Sequence, residues 1–368
     1  MAIIIFIVIL FSLVLIHELG HFVVAKLFGI RVDEFGIGYP PRAATLFKRG
    51  ETTFTLNWLP FGGFVKIFGE DAEETPDPSM DRSRHFASKP KYAQALVLVA
   101  GVVMNFLCGW LLLSVGYMTG LPTAVGTEPA GSHVIAPVLT ITSVDTAKPA
   151  SKAGIQPGDI VEQVTYQKEI VTAPDVDALR NFVSTHGNDE LTMNVKRLDK
   201  EVVIKVTPSA DAVVGQKAGI GVGLDMIGRL ELPWYRAPVA GLQSAWYMMQ
   251  NIVSTFGRLI GDAFHGHSDI SQLTGPVGIV GIVGDAYKIG FVYLLSLAAL
   301  ISLNLAVINL IPFPALDGGR LLFVIIESII RRPIPAKVSN ILNTVGFFIL
   351  IALMLAITYH DIVKLFVH

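Results

Sequence analysis

Charge is scarce in this chain. Asp, Glu, Lys and Arg make up 16% of its 368 residues, and a net charge of −2 offers no basic surface for nucleic acid. A disulfide within the chain is excluded, because the single cysteine, Cys108, has no partner and lies in an apolar run. No Lys or Arg precedes the first apolar run, and no small-x-small cleavage site follows it. The expectation is therefore a retained first span rather than a removed signal peptide. What the chain has instead is apolar surface: 52% of its residues are hydrophobic, more than a soluble core of this length needs.

Four runs, roughly 1–25, 93–118, 291–311 and 341–359, account for the excess. Each approaches the about 20 residues that carry a helix across a bilayer. They predict a polytopic α-helical membrane protein with about four transmembrane helices. Two weaker stretches, 238–264 and 275–284, are amphipathic or glycine-rich and read as interfacial or packed on protein. The loop between the first two spans carries Arg31, Arg42, Lys48, Arg49 and Lys66, among others. The loop between the last two carries Arg320, Arg331, Arg332 and Lys337, and the N-terminal tip carries neither type. This bias predicts both basic loops in the cytoplasm, and both termini and the long 119–290 connection outside.

Within that connection, residues 137–208 change character. Short alternating runs (VLTITSV, DIVEQV, LTMNVKRL, EVVIKVTP) are separated by the turn signals QPGD, HGND and RLDK, with one helical stretch, PDVDALRNFVST. The pattern predicts one small soluble α+β domain. The segment 70–84 is polar and contains proline, and reads as a loop. His265 and His267, in FHGHSD, have no partner motif nearby and read as surface histidines.

Three ionisable side chains interrupt the first span at HELGH, residues 17–21. On a helix, His17 and His21 are separated by about 40° of rotation and one turn. Both imidazoles can thus reach one zinc. Glu18 lies on the same side, placed to take a proton from a water that the metal activates. Ionisable groups at bilayer depth cost at least about 2.5–3.5 kcal/mol each, so three on one face call for a function. Lys26, at the end of the run, can extend its charge to the interface and reads as an anchor.

Two histidines need a further ligand. Asp317, in NLIPFPALDGGR (309–320), follows a span that Pro312 and Pro314 interrupt. The predicted orientation puts it toward the same face as the HELGH end. Spacing alone leaves two readings open, a third ligand or the cap of a helix beginning at Gly318.

HELGH in the first span, LDG after a proline-broken third span and KPASKAGIQPGDIVEQV (148–164) outside together resemble the site-2 proteases, zinc intramembrane metalloproteases. The closest likeness is to the bacterial regulator of sigma-E protease (RseP) group, and it covers essentially the whole chain. The resemblance implies His17, His21 and Asp317 as ligands of one Zn2+, and Glu18 as catalytic base. It implies Asn309 and Asn304 as contacts to substrate backbone, although an amide on an apolar helix can equally bridge two helices.

The family also implies that 31–68 forms a membrane-associated β-hairpin region beside the active site. EFGIGYPP supplies Gly36 and Gly38, LPFGGFVKIFG supplies Gly62 and Gly63, and ATLFKRGETTFTLNW alternates about a Lys-Arg-Gly turn. A strand edge there could pair with an opened substrate helix; an ordinary cytoplasmic hairpin is the other reading. The implied organisation is a protease core in two halves, 1–118 and 286–368, with one extracytoplasmic PDZ-like α+β domain at 137–208. A post-PDZ gating region, 219–285, follows, with an amphipathic helix near 240–263. Better-known members carry two PDZ-like domains in tandem and use them as a size filter; for this single one a size filter, a binder of peptide C-termini and a lid without a ligand stay open.

The implied setting is the bacterial inner membrane, with single-span membrane proteins as substrates: a trimmed anti-sigma factor or remnant signal peptides. A different class of function remains compatible with the same residues. A non-catalytic zinc-binding scaffold or ion-handling protein would use His17, His21 and Asp317 but has no need of Glu18.

Overall fold

The structure, a computed structural model, describes residues 1–70, 82–129, 131–145, 148–172, 176–198, 200–209, 218–264 and 275–367. His265, His267 and most of the 70–84 segment lie outside the described residues. In chain order the elements begin with α1 (Ala2–Leu27), β1 (Val32–Arg49), β2 (Thr52–Ile67) and α2 (Lys91–Thr119). Next come β3 (Leu121–Ala124), β4 (Ile135–Val144), α3 (Pro149–Lys152), β5 (Ile160–Tyr166) and β6 (Glu169–Thr172). They are followed by α4 (Val176–Thr185), β7 (Leu191–Arg197), β8 (Lys200–Val206) and β9 (Val222–Leu230). The chain ends with α5 (Ala237–Phe264), α6 (Pro276–Ile289), α7 (Phe291–Leu310), α8 (Asp317–Ile330) and α9 (Ala336–Val367). Two compact units result, one formed by 1–115 with 238–368 and the other by 116–237.

In the first unit, four helical segments are long and apolar enough to cross a bilayer: Ala2–Leu27, Lys91–Thr119, Phe291–Leu310 and Lys337–Val363. They coincide with the four runs read from sequence, each shifted by a few residues at its ends. The α6 helix, at 14 residues, is too short to span and packs on α1, α7 and α9. The α7 helix stops at Leu310, just before Pro312 and Pro314. The chain then turns back so tightly that a methyl group on Gly318 would lie 2.3 Å from the Ile311 carbonyl oxygen. Only glycine admits that fold-back, and it sets the start of α8 beside the preceding loop. Ala25, Ile30, Val32, Ile67, Val97 and Val324 form one buried cluster that joins the end of α1, the base of the β region, α2 and α8.

The β region is more than the hairpin expected from sequence. Residues 53–56 of β2 pair on one side with 34–37 of β1 and on the other with residues 44–48 of the same strand. The first half of β1 pairs in turn with the second half of β2, Ile37 opposite Gly63 and Phe35 opposite Val65. Two long strands thus make a four-segment sheet, with bends where Pro40–Pro41 and Gly62 interrupt regular pairing. One outer edge is the segment 63–67, and this edge lies against α1.

In the unit 116–237, strands run β3-β9-β4-β5-β7-β8, with β6 beside β5. All named pairs are antiparallel. Alternate residues such as Leu191, Met193 and Val195 face a core that includes Leu139, Ile141, Val164 and the α4 side chains Leu179 and Phe182. Turns fall where QPGD and HGND stand, and at Leu198 of RLDK. Val222–Leu230, which the sequence reading assigns to a region after this domain, is instead a strand of its sheet, between β3 and β4. Its alternation (Val222, Leu224 and Met226 against the core) is weakened by Gly223 and Gly228, which is why it did not read as a strand.

Candidate metal centre

HELGH occupies the last third of α1, where His17 and His21 are both buried, 6% and 7% exposed. Across from them, the fold-back after α7 presents Asp317 as the first residue of α8, with Leu316 in the capping position. Asp317 therefore does not serve as the cap that spacing alone allowed. Its Oδ2 lies 2.9 Å from His17 Nε2 and 3.2 Å from His21 Nε2, and the two Nε2 atoms are 3.1 Å apart. Ligand atoms on a tetrahedral zinc, with bonds of about 2.0–2.1 Å, are separated by about 3.3 Å. The three donor atoms already approximate one face of such a tetrahedron. They are the one cluster of three His, Cys, Asp or Glu donors among the described residues.

The tautomer of His21 supports the same conclusion. Its Nδ1 is 2.8 Å from the Val97 carbonyl oxygen on α2, and a carbonyl only accepts. Nδ1 therefore carries the hydrogen, and Nε2 turns its lone pair into the cluster, as a metal ligand must. Helix α2 approaches closely here. A methyl group on Gly101 would lie 2.5 Å from both His17 Cε1 and His21 Nε2, so no larger residue fits behind the pair.

Glu18 stands outside the ligand group, on the side of the sheet edge. A methyl group on Gly63 would lie 3.5 Å from Glu18 Cγ. The base candidate thus lies between the imidazoles and the strand segment 63–65. Gly62 approaches Val14 of α1, Gly36 packs against the Phe64 ring, and Gly38 lies beside the Leu59 carbonyl across the sheet. Asn309 is half-buried in the last turn of α7, one residue before the helix ends. Asn304 is placed differently. Its amide donates to the Leu300 carbonyl at 2.9 Å, and it lines a cavity of about 330 Å³ with α5 residues including Asn251 and Phe256. A second cavity, about 360 Å³, opens beside Asp317 and is lined by Leu316, Arg320, Asn343, Thr344 and Phe347.

Sequence reasoning missed Gly101 and Asn105, both on the α2 face that backs the histidines. The signal was present: an asparagine in the apolar run AGVVMNFLCGW is conspicuous. Lys26, read as an interfacial anchor, lies 5.9 Å above the Phe22 ring and donates to Glu51 at 3.2 Å, tying the end of α1 to the β1–β2 turn.

The profile described as Peptidase family M50 matches residues 5–353. The chain belongs to peptidase family M50. A putative zinc metalloprotease of Clostridium perfringens, CPE1693, is 34% identical over 362 residues, covering 98% of each chain. The zinc metalloprotease RasP of Geobacillus kaustophilus is 29% identical over 439 aligned positions, 99% of this chain and 98% of the relative. The regulator of sigma-W protease RasP of Bacillus subtilis is 28% identical over 443 positions, 98% of each. As an M50 member, the chain is a membrane zinc metalloprotease of the site-2 protease family, and zinc is its cofactor. The His17, His21 and Asp317 donor set fits that ion.

Proposed function

We propose that this chain hydrolyses peptide bonds inside the transmembrane segments of single-span membrane proteins. The observation that carries the reading is the convergence of His17, His21 and Asp317, 300 residues apart in sequence, beside the Glu18 carboxylate and a strand edge. Bound zinc supplies Lewis-acid polarisation and an acidified water. Glu18 accepts the proton of the attacking water and returns it to the amide nitrogen that leaves. Asp317, His17 and His21 hold the ion.

A scissile bond within a helix is shielded by its own hydrogen bonds, so the substrate must open. The edge at Gly63–Ile67 would pair with an opened strand, and Gly62, Gly63, Gly36 and Gly38 would line its path. Asn309, and Asn304 further back on α7, would contact substrate backbone. The α5 helix gates lateral access. The positive-inside bias puts both termini and the 116–237 unit outside a bacterial inner membrane, with the metal centre toward the cytoplasmic side. Within that unit, the PDZ-like segment 137–208 screens out substrates that keep a bulky outer domain. The Bacillus subtilis relative is named for sigma-W regulation, which supports a trimmed anti-sigma factor as a substrate, with remnant signal peptides as a second class.

The test compares wild type with Glu18→Gln on a tagged single-span reporter in liposomes. The expected result is full zinc content and cleavage reduced by about 10²–10⁴-fold. Equal cleavage by the two proteins at equal zinc content would overturn the catalytic reading in favour of a binding role.

A further inference from the structure

His17 poses a question that His21 does not. Its Nε2 points at Asp317 and His21, so in the metal-binding form Nδ1 must carry the hydrogen and needs an acceptor. The group facing Nδ1 is the Asn105 side chain, whose Nδ2 stands 3.3 Å away. Asn105 is fully buried, and its Oδ1 has no hydrogen-bond partner. An amide oxygen and nitrogen are interchangeable by a 180° rotation about the last side-chain bond. Rotated, Asn105 presents Oδ1 to His17 Nδ1 and becomes the acceptor that the histidine requires.

The backbone of Asn105 is itself held. Ser302 of α7, also fully buried, donates its hydroxyl to the Asn105 carbonyl at 2.8 Å. Gly101, one turn earlier on α2, lets this face come within contact of both imidazoles. A chain of contacts therefore runs from α7 through Asn105 to His17, as the Val97 carbonyl serves His21. Two helices that supply no ligand to the metal, α2 and α7, thus fix the orientation of the histidine pair on α1.

We propose that Asn105 is the positioning residue for His17. With Oδ1 turned toward the ring it holds Nδ1 protonated and aims Nε2 at the metal. The proposal rests on the zinc assignment above but makes a separate claim, about one amide oxygen. An uncharged residue in an apolar helix is thereby placed at the metal centre rather than at a generic helix contact.

The test uses the purified full chain in detergent, stripped of metal and titrated with Co2+, whose visible absorption reports ligand geometry. Asn105→Ala removes the acceptor, and Asn105→Asp keeps an oxygen in its place. The expected result is that Asn105→Ala binds Co2+ about 10–100-fold more weakly, as loss of an outer partner typically causes. Asn105→Asp should recover most of that loss, with a wild-type absorption band. ¹⁵N spectra of histidine-labelled zinc-loaded protein should show His17 Nδ1 protonated in the wild type.

Two outcomes overturn the proposal. One is a folded Asn105→Ala, with unchanged helical circular dichroism, that binds Co2+ as tightly as wild type. The other is an Asn105→Asp no better than Asn105→Ala at equal helix content, which would assign the residue to packing. Failure of the zinc assignment itself would look different, since the wild type would then bind no Co2+ at the cluster.

Discussion

The two units of this chain are built inside-out relative to each other. In the 116–237 unit the apolar side chains Ile141, Val164 and Leu191 are buried without exposure, while Asp159 is the one buried charge among the described residues there. In the unit of long helices the order is reversed. Ile4, Phe348 and Leu355 are 62%, 64% and 59% exposed, whereas His17, His21 and Asn105 are buried. Lipid is as apolar as leucine, so burying leucine gains nothing there. Helices are ordered instead by close small-residue contacts, such as those at Gly20 and Gly101, and by polar groups that find each other. The same residue type therefore carries opposite meaning in the two regions. A buried carboxylate is costly in both, and each unit meets that cost with specific partners.

Asp159 is the sharpest test in the 116–237 unit. It is 1% exposed and accepts from Arg197 Nε and Nη2, both at 2.7 Å, and from the Gln156 backbone N–H at 2.9 Å. Arg197 is in turn held in its charged form by this carboxylate. Asp159→Asn breaks an ion pair whose carboxylate is buried and whose guanidinium is 27% exposed, and should destabilise the unit by up to about 3 kcal/mol. Limited proteolysis of the full chain in increasing urea should then show cleavage within 116–237 at a lower concentration, with the long helices intact. If the variant resists proteolysis as the wild type does, polar burial is not limiting in that unit.

A pair of identical substitutions probes the apolar side of the comparison. Leu191→Ala empties a fully buried position and should cost about 2–5 kcal/mol by the same assay. Leu355→Ala, on the exposed face of α9, should change stability in bilayers by less than about 0.5 kcal/mol. Equal losses at both positions would mean that Leu355 faces protein rather than lipid.

The sequence was most legible where chemistry and periodicity coincide. HELGH is readable because i and i+4 share a helix face, and Asp317 because two prolines end the preceding span. The four apolar runs were readable by length alone. Less legible were features set by distant pairing. Nothing local says that residues 53–56 pair on both sides, because a period of two gives faces but not partners. Asn105 is conspicuous in sequence, but its role is not legible, for another reason. One amide in an apolar helix is consistent with many helix contacts, and only the position of His17 Nδ1 selects among them. The strand at Val222–Leu230 was lost because glycines dilute its alternation.

A small, salt-dependent effect is expected at the end of α1, where the inside-out rule stops applying. Glu51, in the β1–β2 turn, accepts from Arg84 Nη1 at 2.7 Å and from Lys26. Arg84 and Lys26 hold its carboxyl below the ordinary carboxylate value of 4.5. A carboxyl depressed in the folded state contributes stability above that ordinary value and loses it as pH falls toward the folded one. These side chains are partly exposed, so the contribution is at most about 1 kcal/mol and shrinks in salt. Glu51→Gln should therefore lower stability slightly at pH 7 and low salt. The difference from wild type should narrow as pH falls below 4.5 and should vanish at high salt. A loss of several kcal/mol, insensitive to salt, would instead class this trio with the Asp159 pair and move the boundary between the two kinds of interior out to the end of α1.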